Sequence, residues 1–315
     1  MAMSMGSPAA GDGVRVITIS TPKGDFNVWT QRVGENPDIK VLVLHGGPGA
    51  THEYLANLGD HLPAAGFEIY FYDQLGSGRS DRPDEPGLWE LDRFVDEVEQ
   101  VRQALDLDRT NLVLYGHSWG GILAMEYSLR HQANLKALVV SNMMSSCPAY
   151  NAYAHDVLMP AMDQVALAEI KGYEARDDTT DPRYTELLME HHYVQHVLRM
   201  PVADWPEPVA RSFADINPQI YVSMQGPSEL GMSGKLIAWD RTDDLGRIEV
   251  QTLVIGAHHD TMDPAFMRMM AGRFPNGRYL ECPNGSHLAM WDDTETYFHG
   301  LIAFLQDIGP RRPMS

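Results

Sequence analysis

Eight short apolar runs, most of them followed by a turn and a helical pattern, constrain this chain more than any other feature of its sequence. They occupy residues 14–20, 26–33, 40–44, 67–72, 111–115, 135–140, 251–255 and 278–282. Most are continuously hydrophobic rather than alternating, as strands covered on both faces are. Helical patterns at 91–104, 119–130, 264–273 and 294–307 alternate with them. The alternation predicts an α/β fold: a mostly parallel eight-stranded sheet flanked by helices, entered through an antiparallel hairpin of the first two runs. With 315 residues, 44% of them hydrophobic, the chain is long enough to bury a sizeable core as one large domain carrying an insertion.

The rhythm breaks between 145 and 240. Met, His, Tyr and acidic residues recur there at helical spacing, interrupted by prolines from Pro160 to Pro218. The expectation is a helical cap at 145–240, set between a first core segment, 1–144, and a second, 241–315. Its apolar content exceeds what a solvated loop needs, so it is expected to pack over something.

Within this frame the strongest chemical signal is Gly116-His117-Ser118-Trp119-Gly120-Gly121, directly after NLVLY and directly before a helical run. A serine between glycines at a strand-to-helix turn is held in strained geometry with its hydroxyl exposed. Serine alone is a poor nucleophile and needs a base oriented by a carboxylate. In the strand order that goes with such a turn, acid and then histidine follow at the ends of late strands. Asp260 lies just past QTLVI, and His287 follows 27 residues later in Asn284-Gly285-Ser286-His287. The rival acid, Asp263, precedes Pro264 and has the pattern of a helix N-cap.

An acyl-transfer site also needs donors for the oxyanion. His45-Gly46-Gly47-Pro48-Gly49 after KVLVL supplies a glycine-rich loop. Its Gly47 amide is assigned one donor role, with Gly46 as the alternative, and the Trp119 amide the other. A phosphate-binding reading of the loop lacks both the P-loop lysine and the GxGxxG spacing.

Together these motifs, with Tyr72-Asp73-Gln74-Leu75-Gly76-Ser77-Gly78-Arg79-Ser80, resemble the proline iminopeptidase family of α/β-hydrolases. The similarity runs from about residue 25 to 305, through the insertion at Asp204-Trp205-Pro206-Glu207-Pro208 and Met224-Gln225-Gly226-Pro227-Ser228-Glu229. The resemblance implies an exopeptidase that frees an N-terminal residue, often proline, from small peptides or amides, without metal or organic cofactor. It implies that Glu229 binds the substrate's α-amino group, with Gly46 and Tyr221 as further substrate contacts. Some relatives carry a second glutamate just after the catalytic aspartate; Thr261 stands there, which is expected to loosen recognition of an ammonium. Amino-acid amidases and esterases share this site and differ in leaving group. Epoxide hydrolase and dehalogenase chemistry would want an Asp nucleophile where Ser118 stands.

Charge narrows the partners. Lys and Arg total 24 against 43 Asp and Glu, a net charge of −19, which repels nucleic acid and anionic membranes and favours a ligand carrying a cation. Cys147 and Cys282, far apart and outside any metal-binding spacing, predict reduced thiols and a cytoplasmic location. The first sixteen residues lack a signal peptide's basic and apolar regions, and no apolar run is long enough to span a membrane. His192 and His196 are spaced i,i+4, but without HExxH no metal site is expected. Methionines at 143, 144, 159, 162, 189 and 200 are candidates for core or an adaptable pocket. The acids Glu90, Asp92, Asp96, Glu97 and Glu99 are expected to form a solvated helix face.

Overall fold

A computed structural model describes residues 13–309; most of the N-terminal stretch considered for targeting lies outside the described residues. Eight strands form one sheet: β1 (Val14–Thr21), β2 (Gly24–Val33), β3 (Lys40–Leu44), β4 (Glu68–Asp73), β5 (Leu112–His117), β6 (Ala137–Ser141), β7 (Gln251–Ala257) and β8 (Gly277–Cys282). Their order is β1-β2-β4-β3-β5-β6-β7-β8. β1 and β2 pair antiparallel, β2 joins β4 antiparallel, and every pairing from β4 to β8 is parallel. This is the mostly parallel eight-stranded sheet with an antiparallel lead-in that the apolar runs predict.

Successive side chains on a strand face opposite ways, so each central strand feeds both cores. From β3, Leu42 and Leu44 pack on one face with Leu112 and Leu114 of β5 and with helix Trp119–His131. Val41 and Val43 pack on the other with Val113, Val139 and Ile255, under helix Thr294–Ile308. Burial on both faces is why these strands carry no polar alternation. The outer strand β1 does alternate.

Between β6 and β7 the described chain runs through helices from Cys147 to Met224. Its two ends are pinned together: an isolated bridge pairs Ser146 with Asp240, the Cys147 amide donates to the Trp239 carbonyl and the Arg241 amide to the Ser145 carbonyl, each at 2.8 Å. No helix among the described residues is long and apolar enough to cross a membrane.

The acidic helix corrects one expectation. In Leu91–Ala104, Glu97 is 1% exposed; it pairs with Arg93 and accepts from the Tyr72 hydroxyl and, at 2.9 Å, from the Leu75 amide. It belongs to the inner face of an amphipathic helix, anchoring the loop after β4, while Asp92 and Asp96 face solvent.

Candidate active site

Ser118 directly follows β5 with φ 55° and ψ −128°, a region that costs a non-glycine residue energy unless its surroundings hold it. The glycines around it show how tightly it is held. A Cβ on Gly116 would lie 2.0 Å from the Gly120 carbonyl oxygen, and one on Gly120 would lie 2.1 Å from that of Leu44. Strand end and helix start therefore touch backbone to backbone. The Ser118 amide donates to the Ser141 carbonyl at 3.0 Å, tying the turn to the end of β6.

Asp260 and His287, distant in sequence, come together after β7 and β8: His287 Nδ1 donates to Asp260 Oδ1 at 2.8 Å. Asp260 is fully buried and also accepts from Asn142 Nδ2 at 2.7 Å and the Met262 amide at 3.1 Å. Burial alone would lower the His287 pKa, but the Asp260 carboxylate raises it above the ordinary imidazole value. Nδ1 is thus committed to Asp260, which leaves Nε2 for proton exchange. Asp263 instead caps helix Pro264–Ala271, accepting from the Ala265 amide at 2.8 Å.

A buried relay joins the Gly-rich loop to both parts. The Gly46 amide donates to the Tyr54 hydroxyl at 2.7 Å, the hydroxyl to His117 Nδ1 at 2.9 Å, and His117 Nε2 to the His287 carbonyl at 2.8 Å. Burial holds His117 well below the usual imidazole pKa, so the ring is neutral, and a carbonyl on Nε2 assigns the proton there. Gly46 is therefore occupied. Among the described residues, the Gly47 and Trp119 amides have no hydrogen-bond partner. The Trp119 indole N–H donates to Gln74 Oε1 at 2.9 Å, and the Gln74 amide side chain donates to the His45 carbonyl at 2.9 Å, locking the loops after β3 and β4 against the nucleophile turn.

Ser118, His287, Gly47, Tyr221 and Glu229 line one cavity of about 440 Å³, roofed by the helical segment. Glu229 accepts from the Tyr221 hydroxyl at 2.6 Å. Its backbone is held as well: the carbonyl accepts from the Tyr150 hydroxyl at 2.7 Å, and the amide donates to the Tyr193 hydroxyl at 3.3 Å. Burial raises its carboxyl pKa, against the opposing pull of His287 and the Tyr221 hydroxyl. Among the described residues no Lys or Arg forms an ion pair with this carboxylate, an arrangement that is costly for a buried charge.

Two sequence-predicted positions behave differently. Gly46 lines no part of this cavity; a Cβ there would press on Ser118 at 2.9 Å. Thr261 is fully buried, with Oγ1 3.3 Å from both Asp260 Oδ1 and His287 Nδ1. It touches the acid–base pair and is not among the residues lining the 440 Å³ cavity. His192 packs its ring against the Glu229 carbonyl, Nε2 to oxygen 3.2 Å. Of the methionines, Met189 lines the cavity and Met143 a small space beside Ser118, while Met162 is core. Tyr54 and Asn142 carried no signal of their own in the sequence; the only hint was His117, inside the nucleophile motif.

A family model described as the alpha/beta hydrolase fold matches residues 40–294. A proline iminopeptidase of Elizabethkingia meningoseptica is 52% identical over 295 residues, covering 93% of this chain and 98% of the relative. Among solved structures, that of VinJ aligns with a TM-score of 0.86 at 29% identity, over 96% of this chain and 100% of the other. The proline iminopeptidase of Mycobacterium smegmatis aligns with a TM-score of 0.81, also at 29% identity, over 94% and 98%.

Proposed function

The chain belongs to the proline iminopeptidase family of α/β-hydrolases and is an aminopeptidase-type hydrolase, and from that premise we propose how its residues divide the work of freeing an N-terminal amino or imino acid. The Ser118 hydroxyl attacks the carbonyl carbon of the first residue while His287 Nε2 takes its proton. The Gly47 and Trp119 amides receive the oxyanion, an interaction of the kind worth about 3–4 kcal/mol per donor. As the C–N bond breaks, His287 returns the proton to the leaving nitrogen. Water, deprotonated by the same imidazole, then hydrolyses the acyl-serine. Asp260 holds the ring's tautomer throughout, and segment 145–240 acts as a cap that excludes water and carries the amine anchor.

The observation that carries this reading is Glu229. Among the described residues it is the single carboxylate on the cavity that also contains Ser118 and His287, so a substrate is held by a free amino or imino group next to the bond to be cut. A small peptide or amino-acid amide has that arrangement. A cytoplasmic location belongs to the same reading, supported by Cys147 and Cys282, both free and buried.

Kinetics on proline and alanine arylamides test it. Ser118→Ala should cut kcat by about 10⁴-fold or more. Glu229→Gln should raise KM for free-amine substrates by roughly tenfold or more. Undiminished turnover of N-acetylated arylamides by the native enzyme would remove Glu229 as the anchor.

A further inference from the structure

We propose that the leaving-group side of the cavity selects uncharged, apolar amines, so that the enzyme works on amides of an N-terminal residue far better than on dipeptides that end in a free carboxylate. This deepens the division of roles given above and rests on it. His287 must hand its proton to the departing nitrogen, so the leaving group lies on the His287 side of Ser118. Two spaces meet at Ser118 and Glu229. The smaller, about 10 Å³, is walled by Trp119, Met143 and Met262 and does not reach His287. The larger, about 440 Å³, contains His287, and the leaving group therefore enters it.

Its walls include Leu188, Met189, Tyr193, Trp205 and Phe213, and among the described residues no Lys or Arg lines it. In a bound dipeptide the terminal carboxylate lies one residue beyond the scissile nitrogen, inside this space. There it would shed water without gaining a cation, an arrangement that is costly. The net charge of −19 also draws in the amide, which carries +1, while the zwitterionic dipeptide, of net charge zero, gains no such attraction. Amidating the same dipeptide removes the charge and keeps the shape, and an apolar side chain then gains contact with the aromatic walls.

The test compares kcat/KM for Pro-Phe, Pro-Phe-NH2 and N-acetyl-Pro-Phe-NH2 at neutral pH, read as release of phenylalanine or its amide. Pro-Phe-NH2 should exceed Pro-Phe by at least about tenfold. The gap should narrow in Thr185→Lys and in Met189→Lys, each of which sets a cation in the cavity wall at a position that is not fully buried. Equal constants for dipeptide and amide overturn the inference while leaving the aminopeptidase reading in place. A gap unmoved in both lysine variants, with folding intact by circular dichroism, overturns its electrostatic cause. Cleavage of the N-acetyl compound at the free-amine rate, or cleavage of none of the three, overturns the underlying reading and this inference with it.

Discussion

At His117 one imidazole holds three parts of the site in register: the loop after β3 through Tyr54, the end of β5 by its own backbone, and the backbone of His287. Removing the Tyr54 hydroxyl strands two buried groups, the Gly46 N–H and His117 Nδ1. Tyr54→Phe should therefore lose about 1–3 kcal/mol of stability, measurable by denaturant titration, and lower kcat with little change in KM. In the proposed mechanism His287 sets the pH dependence. It acts as base only when neutral, and Asp260 raises its pKa above 6.5 in spite of burial, so activity appears as pH rises and the acid limb of the profile lies above 6.5. In Asp260→Asn the largest raising charge is gone, and burial is opposed only by the lesser pull of Glu229 and Asp292. The limb should move to lower pH while kcat falls by about 10⁴-fold. A limb that stays in place would dissociate Asp260 from the imidazole.

At the scale of elements, the site is a set of strand ends. Ser118 follows β5, Asn142 follows β6, and Asp260 and His287 lie beyond β7 and β8, the edge of a parallel sheet where ligands bind. Backbone contact between elements makes the glycines obligatory: Gly120→Ala drives a Cβ into the Leu44 carbonyl and should cost about 3 kcal/mol or more, seen as lost soluble yield or a lowered Tm. On helix Leu91–Ala104 two adjacent acids should behave oppositely. Glu97→Ala leaves Arg93 buried and unpaired and should cost about 3–5 kcal/mol, whereas Asp96→Ala should stay within about 0.5 kcal/mol. From the sequence both belong to one charged face, because period alone does not say which side of a helix meets the sheet when Arg, Tyr and Glu satisfy one another inside.

For the whole molecule, the charge of −19 produces a field that attracts cationic substrates. It should be screened by salt, since the Debye length falls from about 30 Å at 0.01 M to about 3 Å at 1 M. kcat/KM for a free-amine arylamide should then drop several-fold across that range, while an N-acetylated ester changes little; parallel salt curves for the two would confine the acidity to solubility. Among the described residues Glu229 is the one acid that lines the cavity, so the charge as a whole is expected to act on encounter rather than on chemistry.

Local pattern determined the strands, the helical insertion and the order Ser118, Asp260, His287, because continuous hydrophobicity, glycine spacing and post-strand position are properties of short stretches. Tertiary structure alone decided the rest. Thr261 turned inward to the acid–base pair, Gly46 gave its amide to Tyr54, and Glu97 went into the core. Asn142 and His117 became supports for residues on other strands. These outcomes depend on which group in the fold satisfies a buried polar atom, 8 positions away for Gly46 and Tyr54 and 170 for His117 and His287, and such contacts leave no periodic trace along the chain.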